Sequence, residues 1–153
     1  MQAATSTLAE LGPGSQFKSV LDDTIADSSS VERVVLLSGK LYYDLLKERS
    51  ARGLDSKIAL VRVEELCPFP FEGVRSTLAR YSGTQEVFWL QEEPCNQGAY
   101  THVGPRISAV LEAMGRPGLK FRGRKEDAVP APGVSKTYQA EQKAVLSAAF
   151  EGL

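Results

Sequence analysis

Three short runs in this chain are apolar at nearly every position, and they constrain its fold more than any other feature. Val34-Val35-Leu36-Leu37, Ile58-Ala59-Leu60-Val61-Arg62-Val63 and Val87-Phe88-Trp89-Leu90 lack the alternation of a half-solvated strand. A strand that is apolar on both sides has to be covered on both sides, which is the mark of a mainly parallel sheet held between helices. The intervening segments supply those helices. Leu41, Tyr42, Leu45 and Leu46 share one helical face, Asp44, Lys47, Glu48 and Arg49 take the wet one, and Gly53 stops the helix. Phe71, Val74, Leu78 and Tyr81 form a second face, and Ile107, Val110, Leu111 and Met114 a third. Val145, Leu146, Ala149 and Phe150, with Tyr138 further back, form a terminal one. Leu119 to Arg122 is a short candidate for a fourth strand. Strands alternating with helices give an α/β class, and right-handed crossovers make a doubly wound, mainly parallel sheet with helices on both faces the expectation.

Residues 1–30 read differently. Gly12-Pro13-Gly14 forces a turn, Asp22-Asp23 and Ser28-Ser29-Ser30 are small and polar, and no apolar face recurs. This stretch is expected to be a linker or N-terminal arm, with one α/β domain over 31–153. A length of 153 residues suits a single domain. The formal net charge of −1 does not recruit nucleic acid or an anionic membrane surface. No apolar run approaches the roughly 20 residues that span a bilayer. The first ten residues lack the Arg-rich look of a presequence, so no targeting segment is expected within them. Cys67 and Cys95 lie far apart outside any CxxC pattern, and His102 is the only histidine. No metal site is expected from that set, and reduced thiols suit an intracellular compartment.

In doubly wound sheets, ligands and partners meet the loops at the carboxyl ends of the strands. Three such ends are unusual. Ser38-Gly39-Lys40 is a small-small-basic turn that opens a helix; it can receive a phosphate or carboxylate on Lys40 and backbone N–H groups, or be a plain turn with a solvated lysine. Around Pro68, Phe69, Pro70 and Phe71, two prolines stiffen a segment carrying two aromatic rings. The rings either anchor a partner or fold back on the domain's own core. Gln91-Glu92-Glu93-Pro94-Cys95-Asn96-Gln97-Gly98-Ala99-Tyr100 crowds carboxylates and amides directly after a hydrophobic strand. The carboxylates could do acid–base work, bind a cation or cap the helix that begins near Gly98; capping and subunit contact are both weighed above catalysis, because no nucleophile–base pair is visible. Downstream, Arg122-Gly123-Arg124-Lys125 is a small basic cluster: solvated surface, or a seat for a partner's carboxylate or phosphate. It lacks the aromatic interleaving of a nucleic-acid site.

Taken together, the ordered motifs resemble one family. Ser38-Gly39-Lys40 with Tyr42-Tyr43-Asp44-Leu45, then Arg62-Val63-Glu64-Glu65-Leu66 with Pro68-Phe69-Pro70, then Gln91-Glu92-Glu93-Pro94 with Asn96-Gln97-Gly98-Ala99 are similar to the C-terminal domain of the E1 component of 2-oxoglutarate dehydrogenase. Gly123-Arg124, Ala128, Pro130-Ala131 and Gly133 match that family's closing pattern, and Glu64 to Pro70 is also similar to the eukaryotic 2-oxoadipate-type branch. At Tyr138 the family often has histidine.

The resemblance implies a transketolase C-terminal-like fold and a homodimeric parent enzyme. The parent would use thiamine diphosphate and Mg²⁺ to decarboxylate a 2-oxoacid and pass the acyl group to a lipoyl group on E2. That places it in a multienzyme complex of the tricarboxylic acid cycle or of lysine degradation. Those cofactors would be held by preceding domains, since no GDG-to-NN magnesium motif occurs here, and no catalytic residue is assigned to this chain. The expected partners are the preceding E1 domains and the second E1 subunit, with E2 reached through the parent, and neither nucleic acid nor membrane. The implied location is the mitochondrial matrix in a eukaryote, or the cytoplasm in a bacterium. The interface candidates are Pro68, Phe69, Phe71, Gln91, Glu92, Glu93, Asn96, Gln97 and Tyr100; the anion-binding candidates are Lys40, Arg122 and Arg124. A structural domain without activity of its own is the leading expectation. A regulatory module for a nucleotide or acyl-CoA is the rival, and a free-standing enzyme is the reading the residues support least.

Overall fold

The computed structural model describes residues 4–25, 27–84 and 86–153. Among these, five strands form one sheet in the order β1-β3-β2-β4-β5. They are β1 (Val20–Leu21), β2 (Arg33–Leu37), β3 (Ile58–Val63), β4 (Glu86–Pro94) and β5 (Lys120–Arg124). Strands β2 to β5 run parallel, and β1 lies antiparallel against β3. Helices α1 (Leu41–Ala51), α2 (Phe71–Arg80), α3 (Tyr100–Ala113) and α4 (Ser135–Ala148) cover both faces. The mainly parallel α/β architecture expected from the sequence is the one observed.

The two-residue period of the strands sorts their side chains into two dry layers. Val34, Leu36, Val61, Val87 and Trp89 face one layer, closed by Val74 and Leu78 of α2 and by Val103, Ile107 and Leu111 of α3. Val35, Leu37, Leu60, Phe88 and Leu90 face the other, closed by Leu41 and Leu45 of α1 and by Val145, Ala149 and Phe150 at the end of α4. Each fully buried aliphatic side chain of this kind contributes roughly 1.5–3 kcal/mol. Helix α1 stops where Gly53 takes φ +66°. There the N–H of Leu54 reaches Arg49 O and that of Gly53 reaches Ser50 O, which satisfies the last carbonyls.

Of residues 1–30, residues 1–3 and Ala26 lie outside the described residues. Residues 4–18 are almost wholly exposed, and Leu8, Leu11 and Phe17 stand out in solvent. From Ser19 the chain is bound down: Ser19 O accepts from the N–H groups of Glu64 and Glu65, and β1 extends the sheet. Two aspartates follow. Asp22 accepts the Tyr81 hydroxyl at 2.7 Å and pairs with Arg80. Burial, and after it the Asp22 bond, raises the pKa of Tyr81. Asp23 is buried, pairs with buried Arg49, and accepts the Leu60 N–H at 2.7 Å. Arg49 in turn donates to Ile58 O at 2.8 Å. One ion pair thus ties the incoming segment, α1 and β3 to one another.

Substituting Arg49→Met would leave the Asp23 carboxylate buried without its cation. A loss of about 3–5 kcal/mol in urea unfolding is expected for such a broken buried pair. A loss below about 1 kcal/mol would mean that the pair is not what fastens this segment.

Candidate functional site

Strand order places β2 between β3 and β4, so the chain leaves β2 to one side first and crosses to the other later. The crevice outside the carboxyl ends of β2 and β4 is where such sheets place ligands and partners. A cleft of about 290 Å³ lies there, lined by Ser38 and Leu41 beyond β2, by Gln91, Glu92 and Glu93 of β4, and by Ala99 before α3.

Its organising residue is Gln91. The sequence ends its third strand at Leu90, but β4 continues to Pro94, and Gln91 is buried within it. Its Oε1 accepts from Trp89 Nε1 and from the Tyr100 N–H, both at 2.9 Å. Its Nε2 donates to Pro94 O at 3.0 Å and to Gln97 O at 2.7 Å, with Glu93 O at 3.3 Å. The helix-capping role read from the sequence therefore falls to an amide instead of a carboxylate. Gly98 closes the turn at φ +64°, where a Cβ would sit 3.0 Å from Glu93 Oε2 and 3.1 Å from Gln91 Nε2. Only glycine fits both the backbone angle and the space.

The remaining polar groups of the motif also bind the domain itself. Glu92 Oε1 accepts from Lys40 Nζ at 3.1 Å and from Gln142 Nε2 of α4 at 2.6 Å. The Glu92 bond raises the pKa of Lys40, against the smaller opposing effect of desolvation. Glu92 O receives the Arg124 guanidinium, which also bonds Glu141 and Gln142. Asn96 Nδ2 and Gln97 Nε2 both donate to Asp127 O, at 3.0 and 2.9 Å. The Tyr100 ring lies tilted by 44° against Phe121, with centroids 4.5 Å apart. Glu93 and Asn96 remain exposed. Nothing local in the sequence signalled Gln142, Glu141 or Asp127 as partners, because each joins the motif only through the tertiary fold.

The proline-flanked segment adopts both of its sequence readings at once. Phe69 turns in and is 8% exposed, while Phe71, in edge contact with it at 4.9 Å, is 50% exposed. Pro68 and Cys67 are exposed as well. His102 Nε2 lies 2.9 Å from Leu66 O, so its N–H donates there and pins the segment to α3. Among the anion candidates, Lys40 and Arg124 are occupied by carboxylates, and Arg122 has none among the described residues.

The hydrogen bonds of this constellation orient backbone. Among the described residues no group of three His, Cys, Asp or Glu side chains is arranged to hold a metal ion. The Cys95 thiol is pushed up by desolvation and by Glu126, away from the thiolate a nucleophile needs.

The fold is of the transketolase type: a structure described as a split gene transketolase, an inactive β4 tetramer, aligns with a TM-score of 0.55 at 16% identity, covering 90% of this chain and 43% of that one. The family follows from sequence. Residues 5–150 match the model for the 2-oxoglutarate dehydrogenase C-terminal domain, and the chain belongs to that family. It is 42% identical over 144 residues to the 2-oxoadipate dehydrogenase complex component E1 of Xenopus laevis, covering 94% of this chain and 15% of that protein. It is 40% identical over 150 residues to the mitochondrial 2-oxoglutarate dehydrogenase of Caenorhabditis elegans, covering 96% and 14%. The human 2-oxoadipate component is 35% identical over 151 residues, covering 98% and 16%. The chain thus spans about one seventh of the length of these relatives.

Replacing Gln91 with Leu would strip the Trp89 and Tyr100 N–H groups of their acceptor and two carbonyls of their donor. Thermal or urea unfolding should report a loss of about 3 kcal/mol, with the Gln97–Tyr100 amides losing protection against hydrogen exchange. Wild-type stability in this variant would show that the amide is dispensable.

Proposed function

We propose that this chain serves as the structural, dimer-supporting domain of a thiamine-diphosphate-dependent E1 dehydrogenase acting on a 2-oxo dicarboxylic acid, 2-oxoglutarate or 2-oxoadipate. The observation that carries the reading is family membership along residues 5–150, joined to a strand-end surface whose polar groups fix the fold. In the parent reaction the 2-oxoacid loses carbon dioxide and its acyl group passes to a lipoyl group on E2. Thiamine diphosphate and Mg²⁺ would be held by other domains of the parent, and the isolated chain is not expected to turn over.

The relatives named as E1 components of a 2-oxoadipate dehydrogenase complex support partnership with the rest of E1 and, through it, with E2. The mitochondrial name of the nematode relative supports a matrix location. Contact with the preceding domains and the second subunit would fall on Pro68, Phe71, Glu93 and Asn96, which are exposed at the same end of the sheet. Phe69 and Gln91 would act from inside, holding that surface in shape. Such a platform combines a half-exposed aromatic ring with a polar rim, the composition of a contact site.

In a full-length E1 carrying this domain, joint substitution of the exposed Phe71 and Glu93 by Ala should weaken dimerisation by about tenfold, as loss of one or two effective contacts would. Turnover should fall with the dimer fraction. Sedimentation showing an intact dimer, together with unchanged turnover, would overturn the assignment.

A further inference from the structure

Strand β5 ends the sheet and pairs only with β4. Apart from its pairing with β4 and the N–H of Cys95, which reaches Arg124 O, no described residue offers the backbone of β5 a backbone hydrogen bond. One edge of β5 is therefore open to an added strand. The side chains on this strand alternate in a defined way. Phe121 packs into the layer of Trp89, whereas Lys120, Arg122 and Arg124 point to the opposite face. Three cations thus recur at every second residue along an unpaired edge.

Their pairing is uneven. Lys120 Nζ holds Glu86 at 2.7 Å while remaining about half exposed, and Arg124 holds Glu141 at 2.9 Å. Arg122 has no carboxylate among the described residues. Its guanidinium lies 4.6 Å over the Phe88 ring, and Nη1 makes one long bond, 3.3 Å, to Phe121 O. Its Nε is buried with no acceptor among the described residues. A guanidinium offers five N–H donors, and one weak bond leaves it far from satisfied. Cations on an edge also deter unwanted strand pairing, but that role asks for a solvated group. Arg122 is half-buried with part of its head shut from water, which a deterrent does not require.

We infer that β5 accepts an extended acidic segment of a partner protein as an added strand, with one carboxylate on Arg122 and another, two residues along, sharing the half-exposed Lys120 with Glu86. Alternate residues of a strand lie about 6.6–6.8 Å apart on one face, which matches the spacing of the two cations. Main-chain bonds to the open edge would supply affinity, and the fork of Arg122 would select carboxylates. A segment of basic or neutral residues would leave the guanidinium uncompensated and be rejected.

The test uses the isotope-labelled 153-residue chain and a capped peptide of alternating threonine and glutamate, with the threonine–glutamine peptide as control. At about 1 mM peptide, amide shifts confined to Leu119–Arg124 are expected with the glutamate peptide and none with the control. Affinity should fall about tenfold in Arg122→Gln and about threefold in Lys120→Gln, and binding should vanish near 0.5 M salt, where Debye screening is roughly 4 Å. Lys120 is exposed enough that its variant keeps the test readable if Arg122→Gln folds poorly. No shifts, shifts centred elsewhere, or unchanged affinity in Lys120→Gln and in a folded Arg122→Gln would overturn the inference.

Discussion

A single buried amide holds the carboxyl end of this sheet in shape. Gln91 bonds the indole of Trp89, the first N–H of α3, and the carbonyls of Pro94 and Gln97. These groups belong to a strand, a turn and a helix that meet at the point where strand order reverses. Without a shared partner they would be buried polar atoms at a cost of about 1–3 kcal/mol each. Both ends of the amide are engaged, so neither a carboxylate nor a hydrocarbon can substitute. The rest of the surface depends on it: Glu92 is held out to meet Lys40 and Gln142, and Asn96 and Gln97 are presented to Asp127.

A second restraint acts at the other side of the sheet. The Asp23–Arg49 pair is almost wholly buried and also satisfies Leu60 N–H and Ile58 O. A buried ion pair is weak evidence of net stability, but it penalises any arrangement that separates its members. Here it fixes how the chain enters the domain. Among the exposed residues before it, Leu8, Leu11 and Phe17 stand in solvent.

What the sequence revealed and what it hid divide along the range of the interactions. Strands β2 and β3 could be read because Val34 to Leu37 and Ile58 to Val63 are apolar on both faces, which only a covered parallel sheet tolerates. The stop of α1 at Gly53 was legible because a positive φ selects glycine locally. Strand β1 was not, since two residues carry no period and owe their state to pairing with Val63 and Arg62. The length of β4 was missed because Gln91, Glu92 and Glu93 are polar. A strand's polar end is set by tertiary bonds, such as the one from Gln142, 50 residues away. The helical period groups Phe71 with Val74, Leu78 and Tyr81, yet it stands half exposed as the first residue of α2, while Phe69, in a loop with no period, is the ring that turns in. The motif order still pointed to the family, since a family pattern records tertiary constraints that local propensity does not.

The central functional claim is that the strand-end surface is covered by the rest of an E1 enzyme. Hydrogen–deuterium exchange, compared between the isolated chain and a full-length E1 carrying it, tests this directly. Amides of Cys67 to Phe71 and of Glu93 to Gln97, apart from the prolines, should exchange about tenfold or more slowly in the full-length enzyme, as burial at a stable interface imposes. Equal exchange of both segments in the two proteins, with protection appearing elsewhere, would contradict the role assigned to this surface.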